Sequence, residues 1–342
     1  MKEVCIDVRM AFSSGIGTYI RNIISGLQDG PFKLRLIADP RAIEKWPLLS
    51  KCDLISCSAP IYSIEEQIKL PFLIPRCDLF WSPHYNIPLG PIRAKKRMVT
   101  IHDVYHLAFK EQLSFFKRMY AENVIAQAVK QSDLVLTVSQ FSQQELHKHV
   151  PFSPKAIKAI HLGVDRTHFY PRENFKYDLP EKYLLFVGNL APHKNVEALL
   201  KALSYLDKSW KVVLVGAKKG TNIASHEQAI FLEHVSNEDL PSLYRGAYAT
   251  VHPSFYEGFG LTPLEAMSCG CPVIVSTAAS LPEVCKDAAF YIDPHEPKSI
   301  VDAVEALGAS RHTWIEKGLK RAKEMSWSRS VQQHIEAIES LL

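Results

Sequence analysis

Along this chain, short apolar runs rich in β-branched and aromatic residues alternate with longer segments of helical spacing, and the alternation lapses near residue 166 and resumes near residue 183. Parallel strands need a crossover, usually a helix, so such a pattern predicts βα units around a parallel sheet. In the first half the predicted strands are 4–8, 34–38, 79–81, 98–101 and 134–138, with helices that include 17–27 and 116–131. His161-Leu162-Gly163-Val164-Asp165 then leads into a polar, turn-forming stretch, 166–180, that reads as a linker. The second half repeats the architecture. Strands are expected at 183–187, 210–215, 249–251 and 272–276, and helices at 195–205, 240–246 and 262–268. The tail 327–342 has the apolar spacing of an amphipathic helix. A chain of 342 residues exceeds what one core usually supports, so two α/β domains are expected, 1–168 and 169–325, followed by a helix over 326–342.

Composition narrows the partners. Hydrophobic residues make up 47% and charged residues 22%, which is ordinary globular material. No apolar run approaches the ~18–20 residues of a membrane-spanning helix, and the first residues show no secretory core. The seven cysteines form no CxxC pair, so free thiols in a reducing cytoplasm are expected. Residues 1–170 hold 22 Lys+Arg against 15 Asp+Glu, and the remainder 18 against 21. The basic half, with Arg93, Lys95, Lys96, Arg97, Lys117 and Arg118, has either a solvated surface or an attraction for an anionic membrane or acidic acceptor. The mixed helix from Phe115 to Tyr120 is one place for such a membrane contact. No nucleic-acid-binding module is present, so nucleic acid is not an expected partner.

Three motifs carry chemistry. Ser14-Gly15-Ile16-Gly17-Thr18 follows the first strand and opens a helix, where backbone and helix dipole could meet a phosphate or simply form a tight turn. It lacks the third glycine of a dinucleotide fingerprint. Gly188-Asn189-Leu190-Ala191-Pro192-His193-Lys194-Asn195 again joins strand to helix and sets a lysine beside helix N–H groups. The third is the most specific. His252-Pro253-Ser254-Phe255-Tyr256-Glu257-Gly258-Phe259-Gly260-Leu261-Thr262-Pro263-Leu264-Glu265 puts one glutamate on a glycine-rich loop and another a turn into a helix. Carboxylates there accept bonds from hydroxyls, while exposed amides suit phosphate.

This Glu-x7-Glu string resembles the retaining GT-B glycosyltransferases of family four. Gly270-Cys271-Pro272-Val273, Leu281-Pro282-Glu283-Val284, Leu162-Gly163-Val164-Asp165 and Ser326-Trp327 are similar to that family as well. The resemblance implies two Rossmann-like domains facing a cleft, acceptor-binding first and donor-binding second, with the tail helix returning to the first. It implies that Glu265 binds the nucleotide ribose and that Glu257 contacts the transferred sugar beside amides of Gly258, Phe259 and Gly260. Leu261 and Thr262 amides would meet the diphosphate, and Lys194 would neutralise it as it departs. Asn189 stands where the family usually has Arg. Val235, in His234-Val235-Ser236-Asn237-Glu238, matches the segment that reads the base. Gly15 and Gly17 would approach the diphosphate from the first domain, and His102 would lie near the donor sugar. His102 and His106 have metal-pair spacing without a third ligand, and no Asp-x-Asp occurs, so metal-independent catalysis is expected.

The expected reaction is transfer of a hexose, mannose first, from a nucleoside-diphosphate sugar to a glycan or lipid-linked acceptor in surface polysaccharide or lipopolysaccharide synthesis. GDP-mannose is the first expected donor and a UDP-sugar the second, with no cofactor. The expected location is cytoplasmic, at the inner face of the membrane. A front-face displacement would have the leaving phosphate accept the acceptor's proton. A non-catalytic nucleotide-sugar-binding subunit and a GT-B-fold phosphorylase or epimerase remain as alternatives.

Overall fold

The computed structural model describes residues 1–47, 52–112, 114–151, 154–172, 176–216, 226–233 and 235–342. Residues 173–175 of the expected linker and His234 lie outside the described residues, as do the side chains of Phe116 and Lys117. The chain divides into two compact units, Met1–Leu162 with Trp327–Leu342, and Gly163–Ser326.

The first unit is built on β1 (Lys2–Asp7), α1 (Ser14–Leu27), β2 (Phe32–Ala38), α2 (Ala42–Lys45), β3 (Asp53–Ser56), α3 (Ile64–Leu73), β4 (Cys77–Ser82), β5 (Ala94–Ile101), α4 (Tyr105–Ala108), α5 (Phe115–Gln131), β6 (Leu134–Thr137), α6 (Gln140–His149) and β7 (Ile157–Ala159). Its seven described strands pair in parallel in the order β3-β2-β1-β4-β5-β6-β7. The second unit holds β8 (Tyr183–Val187), α7 (Val196–Leu203), β9 (Lys211–Val215), β10 (Ala229–Leu232), α8 (Leu240–Gly246), β11 (Ala249–His252), α9 (Leu261–Ser268), β12 (Val273–Ser276), α10 (Leu281–Cys285), β13 (Phe290–Ile292) and α11 (Pro297–Glu324). Its six described strands, all parallel, run β10-β9-β8-β11-β12-β13. Both are doubly wound α/β units. The strand order reverses between β1 and β4 in one and between β8 and β11 in the other, and ligands of open α/β sheets bind in the crevice at that reversal.

Strands such as β6, β11 and β12 are continuous buried runs because helices cover both faces of a parallel sheet. The final helix, α12 (Trp327–Glu339), belongs to the first unit. Its His334 bonds through Nε2 to the Tyr19 hydroxyl at 2.7 Å, and that hydroxyl also meets Thr100 Oγ1 at 3.0 Å. A Cβ on Gly26 would fall 2.4 Å from Val331, so only glycine lets α12 seat on α1. The boundary at 162 precedes the expected 168 because the next residues fasten to the second unit. Val164 N–H donates to Met325 O at 3.0 Å, and Ser268 Oγ donates to Phe169 O at 2.6 Å.

Candidate active site

In the second unit, two loops leave the sheet at its reversal point. The first follows β8. Gly188 has φ +153° and Gly216, on the neighbouring strand end, has φ +147° with its Cα packed so that a Cβ would lie 2.0 Å from the Gly188 carbonyl oxygen. The chain then turns through Pro192–Lys194, and Asn195 adopts a left-handed conformation, φ 55°. Asn195 Nδ2 donates to Pro253 O at 3.0 Å and to Pro294 O at 2.7 Å, while Phe255 N–H donates to His193 O at 2.8 Å. These bonds lock the first loop to the one after β11.

That second loop carries Glu257. Ser254 Oγ donates to Glu257 Oε1 at 2.9 Å, and Lys194 Nζ donates to Oε2 at 2.7 Å. The Lys194 and Glu257 side chains are 18% and 14% exposed, so the pair is sheltered yet open to a small ligand. Burial pushes the Glu257 carboxyl up, but the Lys194 charge and hydrogen bond outweigh it and hold Glu257 below the usual carboxylate range. The loop backbone is braced from beneath. Ser280 Oγ donates to the carbonyl oxygens of Glu257 and Phe259, at 2.9 and 2.7 Å, and Ser276 Oγ to that of Ser254 at 2.6 Å.

Gly260, φ +108°, ends the loop as the N-cap of α9 and brings no side chain to cap it. The amides of Leu261 and Thr262 therefore begin a helix whose positive dipole end has no side-chain acceptor, a suitable seat for an anion. One turn on, Glu265 Oε2 accepts from the Tyr244 hydroxyl at 2.9 Å. Burial pushes the Glu265 carboxyl up to about 7, against the lowering effect of that hydrogen bond. His252, at the end of β11, is buried and pushed down to about 4 by that burial, and its Nε2 has no partner among the described residues.

Lys194, Glu257, Gly258, Phe259, Gly260, Leu261, Thr262 and Glu265 therefore occupy one end of this sheet. Asn189 is on the same loop, exposed, with its Oδ1 accepting from Ala191 N–H at 3.4 Å. Its carboxamide shapes the turn and adds no charge. Val235 is half-buried on the separate loop after β10. Tyr244, Ser254, Ser276, Ser280 and Asn195 were given no role by the sequence reading. Only Ser254 and Asn195, inside the quoted motifs, sit where local sequence could have flagged them.

The first unit holds the remaining predicted residues. Gly15 is exposed in the first turn of α1, and Gly17 is packed so that a Cβ would lie 2.6 Å from Ala11 O. Packing alone thus requires glycine at Gly17. His102, at the end of β5, is part-buried, with its ring edge-on to Tyr19 of α1 at 4.9 Å. Its Nε2 meets Pro83 O at 2.9 Å, so Nε2 carries the proton and Nδ1 stays an acceptor in the neutral ring. Burial, outweighing that bond and Asp103, holds its pKa below the ordinary value. His106 forms no metal cluster with it, and no group of three or more metal-ligating side chains occurs among the described residues.

A buried ion network at the β1/β4 reversal also went unread. Arg9 Nη2 lies 2.6 Å from Asp7 Oδ2 and 2.5 Å from Glu66 Oε1, with the two carboxylate side chains fully buried. Glu66 accepts from Tyr62 N–H at 2.8 Å and from Asn86 Nδ2, and the Tyr120 hydroxyl donates to Asn86 Oδ1 at 2.6 Å. Tyr62, Tyr85 and Tyr120 thereby cluster, with ring centroids 5.8 and 6.4 Å from Tyr62.

Two family models divide the chain between them, Glycosyltransferase Family 4 over residues 13–168 and Glycosyl transferases group 1 over residues 171–322. The chain is 31% identical over 298 residues to O-antigen chain mannosyltransferase B of Escherichia coli, covering 77% of this chain and 74% of that protein. The chain belongs to glycosyltransferase family four. It is a GT-B glycosyltransferase with two Rossmann-like units, as its sequence motifs implied. O-antigen chain mannosyltransferase RfbU of Salmonella typhimurium is 29% identical over 256 residues, covering 72% of this chain and 69% of that one. Among solved structures, sucrose-phosphate synthase from Thermosynechococcus elongatus matches with a TM-score of 0.80 at 18% identity, over 100% of this chain and 99% of that one. Anabaena HepE in complex with UDP-glucose matches at 0.78 and 17%, over the whole of both chains. At these identities the structural likeness speaks to the family's fold alone.

Proposed function

We propose that this glycosyltransferase moves mannose from GDP-mannose to a glycan or lipid-linked acceptor of lipopolysaccharide synthesis, with retention at the anomeric carbon and without a metal ion. The observation that carries the donor side is the Lys194–Glu257 pair set beside the uncapped start of α9. A departing nucleoside diphosphate develops negative charge at its leaving oxygen, and fixed positive groups aimed there lower the barrier most effectively in a sheltered site. Lys194 and the amides of Leu261 and Thr262 supply that field. Glu257, kept ionised by Lys194, accepts hydrogen bonds from hydroxyls of the transferred sugar. Glu265 accepts from the ribose, and Val235 lies on the loop that would read the base. In the first unit, His102 keeps Nδ1 as an acceptor at the end of β5, and Gly15 leaves the first turn of α1 exposed.

The mannosyl assignment and the lipopolysaccharide pathway rest on the names of the two O-antigen mannosyltransferases that share roughly a third of their residues with this chain. The UDP-glucose complex of HepE keeps a UDP-sugar as the second donor to test. Since Glu257 and Glu265 are assigned to binding, a front-face displacement is the proposed route, with the leaving phosphate taking the acceptor's proton.

The test begins with thermal shifts against GDP, UDP, ADP, CDP and dTDP in EDTA, where ligand at ~100 times its dissociation constant adds about 2.7 kcal/mol to stability. GDP should give the largest shift. Transfer from GDP-mannose in EDTA, with the product's anomeric configuration read by NMR, then tests the chemistry. An inverted product, or activity abolished by EDTA and restored by a divalent ion, would overturn the mechanism. Lys194→Ala should lower kcat by about 10²–10³ while nucleotide binding survives.

A further inference from the structure

Helix α3 has two apolar faces, and the fold covers one of them. Leu70, Pro71 and the carboxyl-bearing Glu66 are buried, and Leu70 packs with Ile74 and Phe80 in the core beside β4. On the opposite face Ile64, Ile68 and Phe72 recur every fourth residue, a row about 12 Å long. They are 81%, 60% and 74% exposed. A surface helix ordinarily turns charge toward solvent, so this outer stripe is unexplained by the core it helps to build. Leu89, 40% exposed, borders the helix, its N–H bonded to Gln67 Oε1 at 2.9 Å.

Cations lie at one end of the stripe. Cys77 and Ala94 are register partners on β4 and β5, so the residues before them, Arg76 and Arg93, stand together just past the C-terminal end of α3. Both are exposed, and neither forms an ion pair among the described residues. Along the flank, Lys69 and Glu65 neutralise each other at 2.5 Å. The first unit as a whole is basic, with 22 Lys+Arg against 16 Asp+Glu in residues 1–162 and 327–342.

We infer that the outer face of α3 is a contact surface for an anionic lipid bilayer. Ile64, Ile68 and Phe72 enter the boundary between headgroups and acyl chains, and Arg76 and Arg93 meet lipid phosphates at its edge. A second copy of the chain fits the stripe poorly. Three side chains on a ten-residue helix fall well short of the ~800 Å² per partner that a stable dimer buries. The helix expected to serve this role from sequence, α5, is less suited, because its Arg118 is already paired with Glu122 at 3.1 Å. No described helix is long and apolar enough to cross a membrane, so the contact is peripheral. The inference does not depend on the donor or on the reaction.

The test is co-sedimentation of the full chain with vesicles of phosphatidylcholine alone and of phosphatidylcholine mixed with phosphatidylglycerol. Binding to the anionic vesicles only, weakening as salt rises, is expected. The double substitution Ile68→Ser/Phe72→Ser should reduce it at least about tenfold. Arg76→Gln and Arg93→Gln should each cost about fivefold. All four positions are exposed, so an unchanged melting temperature verifies folding. The inference is overturned by no binding to either vesicle, by equal binding of wild type and the double variant, or by a dimer in analytical ultracentrifugation that the double substitution dissolves.

Discussion

Two glutamates eight residues apart hold their protons differently, although burial acts the same way on both. Glu257 has Lys194 at 2.7 Å and stays ionised. Among the described residues Glu265 has only the neutral Tyr244 hydroxyl, and burial lifts it to about 7. If Glu265 accepts the ribose hydroxyls, the competent form is the carboxylate, which is scarce below pH 7. Nucleotide affinity should therefore rise as pH increases from 6 to 8, approaching tenfold per unit on the acid side. Titrating the dissociation constant of GDP in wild type and Glu265→Gln checks this. A flat wild-type profile, or an equal slope in the variant, would remove Glu265 from the ribose site. Arg9 makes a sharper residue-scale prediction. Arg9→Ala leaves Asp7 and Glu66 buried without their cation, and loss of one partner from such a network costs about 3–5 kcal/mol. Urea denaturation should show that loss, with Arg9→Lys recovering only part of it because an ammonium cannot bridge two carboxylates in the plane of a guanidinium fork.

At the scale of elements, legibility followed burial. Strands at 4–8, 183–187 and 272–276 were readable because both faces are covered, so all but Asp7 and Ser276 are apolar. The edge strands β3 and β7 were missed because their residues are half-exposed and mixed, Asp53 to Ser56 and Ile157 to Ala159. Helix α11 could have been read, since Ile300, Val301, Ala303, Val304 and Leu307 recur at helical spacing. The carboxylates of the site were legible because one loop and one helix hold them in a single string. Their supports were not, because Tyr244 and Ser280 reach Glu265 and Glu257 from more than twenty residues away. Contacts between elements also give glycine a meaning no local rule supplies. At Gly26, one residue before the end of α1, helix propensity favours alanine by up to about 1 kcal/mol. The Val331 methyls, 2.4 and 2.7 Å from the missing Cβ, reverse that preference. Gly26→Ala should destabilise by about 1–3 kcal/mol. Val331→Ala in the same chain should restore part of it, and thermal unfolding of the four-member cycle would show the coupling. Additive effects would mean that α12 does not bear on α1 at that point.

Across the whole molecule, the two units answer acid differently. His84 and His334, both in the first unit, are fully buried and pushed down to about 4, and His102 is lowered as well. His84 Nδ1 accepts from Asn86 N–H and His334 Nε2 faces the Tyr19 hydroxyl, so both rings are held neutral. As pH falls below about 6.5 the unfolded chain binds protons that these rings refuse, and each removes about 1.4 kcal/mol of stability per pH unit until about pH 4. Glu66, raised by burial, works the other way, one carboxyl set against the two rings near 4. Among its described residues the second unit has one such ring, His252, also near 4. Against it stands Glu265, whose raised pKa contributes stability that is fully present below the ordinary carboxylate value and lost as pH rises through about 7. Over pH 6.5 to 4.5 those two terms nearly cancel. Asp7 and Glu257, both lowered, matter only at more acid pH. Acidification from pH 7 to 5 should thus loosen the first unit while the second keeps its stability. Hydrogen exchange followed by mass spectrometry at both pH values, corrected for intrinsic rates, separates the two. Protection should fall in β1, β4, β5 and α12 and persist in β8, β11 and α9. Equal losses in both sheets would mean that the buried histidines do not set the acid limit, and that charge repulsion in the basic first unit acts on the chain as a whole.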